Sequence, residues 1–159
     1  MKKFAFIGGG SFEFTRPLVK DLLPFPAFRD AEFALMDIDE ERLGYIKQEC
    51  EKIVRVGKYP AKITATTDRV EALKGADGVI ICGCHPGDCH YSTGNYYARR
   101  RMTLLFSMLD YMGIERGRTR VEWVSAAEGV KFSTTMNDFV DTIRKMGPNV
   151  RLGDLRCKN

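Results

Sequence analysis

Short apolar runs alternate along the chain with longer stretches in which apolar positions recur every three or four residues. "FAFIG" from Phe4, "AEFALMD" over Ala31–Asp37, "AKITATT" from Ala61 and "DGVIIC" over Asp77–Cys82 read as strands. Between the first two, "SFEFTRPLVKDLL" sets Phe14, Leu18 and Leu22 at helical spacing. Pro17 confines that helix to a start near Thr15 or a slight kink, since proline is tolerated best in a first turn. "DEERLGYIKQECEKIVRV" gathers Leu43, Ile46, Cys50, Ile53 and Val54 on one face with charges opposite, an amphipathic helix. "TDRVEALKGA" offers Thr67 or Asp68 as N-cap and Gly75 as stop. Further on, "NYYARRRMTLLFSMLDYMG" predicts a helix burying Tyr96, Met102, Leu105, Met108 and Leu109 and ending at Gly113. "VEWVSAAEGV" is open between strand and helix, with Trp123 expected in the core. "STTMNDFVDTIRKMG" predicts a helix capped by Ser133, with Met136, Phe139, Val140 and Ile143 on one face, before a last strand in "NVRL".

Strands alternating with single helices call for parallel pairing through right-handed crossovers. The predicted fold is therefore α/β, a Rossmann-like, doubly wound, mainly parallel sheet with helices on both faces. At 159 residues one domain, 1–159, is expected. With 44% hydrophobic and 29% charged residues, the composition excludes extended disorder. No apolar stretch spans a membrane, and Lys2 and Lys3 precede only about five apolar residues before the glycines, too few for a signal peptide. A cytoplasmic location and reduced thiols follow as expectations for the five cysteines. The net charge of +4 is concentrated partly in Arg99, Arg100 and Arg101, with Arg116, Arg118 and Arg120 nearby. Without a recognised binding motif or aromatic platform this argues against nucleic acid, and the bland reading of the arginine run is a solvated helix face.

In such a sheet the first strand-to-helix turn is where a dinucleotide pyrophosphate docks on backbone N–H groups. Gly8 and Gly10 fill the first two positions of G-x-G-x-x-G, Glu13 stands at the third, and Ser11 adds a hydroxyl donor. Asp37, in "MDID" at the end of the second strand, is placed for ribose hydroxyls, with Asp39 as a helix cap; both aspartates as caps is the alternative. The cofactor-binding set expected is Gly8, Gly10, Ser11, Phe12, Asp37, Asp39, Thr67 and Asp68, with NAD as the cofactor and a dinucleotide as partner. "CGCHPGDCH" packs Cys82, Cys84, His85, Cys89 and His90 into residues 82–90. Thiolate and imidazole suit zinc, so these five are candidate ligands, although the spacing is no recognised zinc pattern. The alternative is that the cysteines are small core residues and the histidines lie on a solvated loop. The basic cluster downstream is expected to favour thiolate.

"FIGGGSFEF", "LMDIDEERL" and "ATTDRVEALKGADGVI" resemble the opening of glycoside hydrolase family 4, from Lys2 to about Ile81, and "DFVDTIRKMGPNVRL" is fainter in its likeness. The resemblance implies an NAD- and manganese-dependent α-glucosidase, α-galactosidase or 6-phospho-glycosidase of carbohydrate metabolism, acting by transient oxidation of a sugar and elimination. It implies a glycoside as substrate and, as in the family, a homo-oligomer. The chain appears truncated against that pattern: the manganese ligands and catalytic residues are not identifiable, Cys157 lies near the position of the family's metal cysteine without its motif, and segment 83–130 is divergent. Three readings stay open: a cofactor-binding module, a glycosidase completed by a partner chain, and an interaction domain that has lost its cofactor.

Overall fold

The computed structural model describes residues 3–88, 93–125 and 127–150. The chain divides into two compact units, Met1–Ala76 and Asp77–Asn159. The fold class is the one the alternation predicts, α/β with parallel strands and Rossmann-like order of elements, but the strands form two sheets.

In the first unit β1 (Lys3–Ile7), α1 (Phe12–Leu22), β2 (Glu32–Met36), α2 (Glu40–Val56), β3 (Lys62–Thr66) and α3 (Arg69–Leu73) follow in order. The three strands are parallel in the order β1-β2-β3, with Phe4 beside Phe33 and Phe33 beside Ile63. The central strand β2 is buried from Phe33 to Met36, the continuous apolar run expected of a strand covered on both faces. Phe4 packs on Phe28 at 4.6 Å between ring centroids, and Phe33 lies 6.1 Å from both Phe4 and Phe6. Against this sheet α1 buries Thr15, Val19 and Leu22, and α2 buries Leu43, Ile46 and Cys50. The α2 stripe is the predicted one. In α1 the buried face is turned: Phe14 is exposed, Leu18 only half-buried, and the helix starts at Phe12 with Pro17 inside it. Two phenylalanines near the glycine turn dominate the apolar pattern of the sequence, whereas the smaller Thr15 and Val19 fit against the strands.

The second unit contains β4 (Val79–Gly83), α4 (Gly94–Tyr111), a 3-10 turn at Arg116–Arg118, β5 (Thr119–Trp123) and α5 (Gly129–Met146). β4 and β5 are parallel, with Ile81 beside Val121 and Gly83 beside Trp123, and α4 is the crossover between them. α5 buries Phe132, Met136, Phe139 and Val140 along one stripe. It approaches so closely that a Cβ at Gly78 would collide with Ile143 Cδ1. α5 begins four residues before the predicted cap: Ser133 is inside it, its hydroxyl donating to the Gly129 carbonyl. α4 has no buried residue, against the prediction for Tyr96, Met102, Leu105, Met108 and Leu109. Trp123 is half-buried. The strand expected in "NVRL" falls largely outside the described residues.

The second unit is held by Arg118, 2% exposed at the end of the 3-10 turn. Its guanidinium donates to the carbonyls of Asp77 (3.1 Å), Gly147 (2.8 Å) and Pro148 (3.3 Å) and forks onto the Glu115 carboxylate. The Asp77 carboxylate in turn accepts from the Asn149 backbone N–H at 3.0 Å. One cation thus joins the approach to β4, the approach to β5 and the end of α5. Among the described residues no helix is long and apolar enough to cross a membrane.

Replacing Arg118 by Ala leaves three carbonyls without their donor, while Glu115, half exposed, regains water. At about 1–3 kcal/mol for each stranded buried acceptor, partly recovered by water, we expect a loss of about 3 kcal/mol. Trp123, the chain's one tryptophan, lies in β5, so urea unfolding followed by its fluorescence reads the second unit directly. Arg118→Lys should recover little, because an ammonium cannot reproduce the fork.

Candidate functional site

The first unit's glycine turn follows β1. Gly8 has φ +78°, a conformation that favours glycine, and the Gly9 N–H donates to the Met36 carbonyl at 2.8 Å. The Gly10 N–H donates to Asp37 Oδ2 at 2.8 Å, and the Asp39 N–H to Asp37 Oδ1 at 3.1 Å. A Cβ on Gly10 would lie 2.7 Å from Asp37 Oδ2, so the glycine is required by this carboxylate. Burial opposes ionisation of Asp37, but hydrogen bonds from the Asp39, Gly10 and Ile38 N–H groups outweigh it and hold the carboxyl below its ordinary value. A cavity of about 590 Å³ opens here, lined by Gly8, Gly10, Ser11, Phe12 and Asp37 together with Arg42, Tyr45 and Glu49. Those last three recur at helical spacing after Asp39 and were legible only as a solvated face of α2. Asp39 caps α2, accepting from the Arg42 N–H, and Asp68 caps α3, accepting from the Val70 and Glu71 N–H groups. Neither they nor the exposed Thr67 line the cavity.

The second unit places the cysteine turn at the carboxyl end of β4, where open parallel sheets bind ligands. Cys82 is in the strand and Cys84 lies just past it. The Gly83 carbonyl accepts from the Val124 N–H at 2.7 Å, and the Cys84 carbonyl accepts from the Asn95 side-chain amide at 2.6 Å. A turn follows, the Asp88 N–H donating to the His85 carbonyl at 3.0 Å with Gly87 at φ +97°. His85 Nε2 donates to Glu128 Oε2 at 2.7 Å, and the same oxygen accepts from the Ser125 N–H at 2.8 Å. Glu128 precedes α5, so this carboxylate joins the loop after β4 to the loop after β5. The Ser125 hydrogen bond, then that of His85, pull the Glu128 carboxyl down to about 2. Desolvation, then Glu122, push the Cys82 thiol above its ordinary value, and Arg120 only partly opposes them. The expected thiolate-favouring field is therefore reversed at Cys82, first by burial and then by Glu122, which also pairs with Arg120. Among the described residues no three His, Cys, Asp or Glu side chains form a metal-sized group. Cys89, His90 and Cys157 lie outside the described residues. Glu128 and Asn95 carry the geometry of this turn without any local sequence signal.

Residues 70–147 match the family described as methyl-viologen-reducing hydrogenase, delta subunit (FlpD). The iron–sulfur subunit of the vhc F420-non-reducing hydrogenase of Methanococcus voltae is 59% identical over 75 residues, 47% of this chain and 52% of that protein. The iron–sulfur subunit of the vhu F420-non-reducing hydrogenase of Methanocaldococcus jannaschii is 37% identical over 100 residues, 60% of this chain and 73% of that protein. An α-galactosidase of Rhizobium meliloti is 48% identical over 80 residues, 50% of this chain but 16% of that enzyme. The chain spans about half the length of several relatives, 52% and 58% of two of them. These findings overturn the reading of the chain as the NAD-binding portion of a glycosidase, and with it the carbohydrate metabolism. The segment read as divergent, 83–130, lies wholly inside the hydrogenase-subunit match. The glycine turn and "MDID" are local signals for a strand, turn and helix, and do not determine what the remainder of the chain is.

Two substitutions test this geometry. Gly10→Ala should cost about 1–2 kcal/mol by displacing Asp37 and losing its backbone hydrogen bond, and should raise the Asp37 pKa in a carbon-detected NMR titration. Because the folded pKa is depressed, the stabilisation by Asp37 is complete above its unfolded value of about 4 and fades as pH falls through the folded one. By the same sign, the step in the Ser125 amide shift that reports the Glu128 carboxyl should come only as pH approaches about 2, where Glu128 takes up its proton. Glu128→Gln should abolish that titration.

Proposed function

Because the chain belongs to the family of F420-non-reducing hydrogenase iron–sulfur subunits, we propose that it is an electron-transfer subunit of a hydrogenase complex. Cys82 and Cys84 hold part of its iron–sulfur group. The observation that carries this reading is the pair of cysteines two residues apart at the carboxyl end of β4, in a turn braced by Asn95 and by the His85–Glu128 contact. Iron–sulfur groups take cysteine thiolates, commonly four. The second unit's sequence contains four, Cys82, Cys84, Cys89 and Cys157, whereas Cys50 is buried in α2 of the first unit with its thiol pushed up to about 11 by burial. The group supplies one-electron chemistry when bound. The residues around it position it: Asn95 fixes the carbonyl of Cys84, and Glu128 fixes His85 beside it, so that the donor atoms are held before the metal arrives. The relatives are named as subunits, which favours protein partners over a free small-molecule substrate.

Purification without oxygen, followed by iron, acid-labile sulfide and zinc analysis with electron paramagnetic resonance of the reduced protein, tests the reading. We expect iron and sulfide together, reduced by at least half in Cys82→Ser and in Cys84→Ser and unchanged in Cys50→Ser. Zinc without sulfide, or no metal, overturns it.

A further inference from the structure

α4 is apolar on two faces. One carries Ala98, Met102, Leu105 and Leu109, all half-buried. The other carries Tyr97, Leu104, Met108 and Tyr111, which are 55%, 65%, 54% and 94% exposed. With Arg101, these follow each other at spacings of four, three, four and three, the rhythm of a helix that packs along another helix. Such a stripe costs solubility when left bare. Arg101 stands within it and Arg100 at its edge, both exposed and in no ion pair among the described residues, with Arg100 over the Tyr97 ring at 4.9 Å, whereas Arg99 lies on the opposite side of the helix. No acidic residue occurs from Gly94 to Leu109, and Asp110 is bound to Arg116.

We propose that this stripe is a docking face for an amphipathic helix of a partner subunit, with acidic residues flanking its own apolar stripe. The charge decides the occupant. A second copy of this chain would bring the arginine run without an acid to meet it. Nucleic acid would satisfy the arginines but leave Leu104 and Met108 uncovered. Tyrosine and arginine are the residues that anchor protein interfaces, and a basic rim selects an acidic partner and speeds its approach. The helix that carries this face is tied to the cysteine turn through its other side, because Asn95 in the first turn of α4 donates to the Cys84 carbonyl. A partner on α4 therefore docks on the helix that holds the proposed redox ligands. The identity of that partner as a hydrogenase subunit rests on the proposed function.

The test places the photo-crosslinker p-benzoylphenylalanine at position 104 of the full chain. This chain is mixed with the other subunits of the Methanococcus voltae vhc hydrogenase, prepared without the native iron–sulfur subunit that resembles it and shown to rebind that subunit. We expect a covalent adduct to one hydrogenase subunit, mapped by mass spectrometry to an acidic amphipathic helix. R99E, on the opposite side of α4, should change the yield little, whereas the double reversal R100E/R101E should lower it about tenfold, with helicity and iron content unchanged. High salt should act in the same direction. An adduct between two copies of this chain, a yield indifferent to the double reversal, or competition by duplex DNA equal to that by the native iron–sulfur subunit overturns the docking face. So does an iron-loaded chain that co-elutes with the hydrogenase subunits and yields no adduct. An iron-free chain that forms the adduct overturns the iron–sulfur reading and supports the face.

Discussion

Arg118 is the constraint on which the second unit depends. A guanidinium taken out of water is tolerated only when its donors are nearly all satisfied, and here three backbone carbonyls and one carboxylate do so. The carbonyls belong to the approach to β4 and to the end of α5, while the arginine itself sits on the turn into β5. Satisfying one cation therefore sets where two parallel strands and their covering helix begin and end. Gly78 contributes by letting α5 lie against the start of β4 without a side chain between them.

That anchoring lies at the amino ends of β4 and β5, and the chemistry lies at their carboxyl ends. There a carboxylate again does the joining: Glu128 accepts from a backbone N–H of its own loop and from His85 of the loop across from it. The first unit uses the same device, with Asp37 at the end of β2 accepting from Gly10 in the turn after β1. In both units a depressed acid fixes the loop that follows a strand, which is a physical requirement of any site built from irregular backbone. The difference is in what each loop presents. The first offers backbone N–H groups and a cavity, the second thiols and an imidazole beside a helix with an uncovered apolar stripe.

The periodicity of the chain carried most of the secondary structure. The α2 stripe, the caps Asp39 and Asp68 and the first four strands were legible because each depends on residues close in sequence. α1 and α5 were displaced for a related reason: helix periodicity marks a stripe, but which edge of it is buried depends on the neighbouring strands. Thus Val19 displaced Phe14, and Ser133 bonded back within α5 and left the cap position to Glu128. The glycosidase resemblance misled for a different reason: the likeness to an α-galactosidase extends over 80 residues but only half of the chain, and it does not decide what the rest is.

The sequence by itself determined the alternation of strands and helices, the α/β class, the glycine turn and the density of thiols between 82 and 90. Those follow from backbone preference and from residue chemistry, which act within a few positions. Only the tertiary structure decided that the strands divide into two sheets, that Arg118 is buried rather than part of a basic surface cluster, and that Glu128 reaches His85 from 43 positions away. It also decided which apolar face of α4 is left in water. These depend on which groups must share a desolvated space, and no local pattern records that.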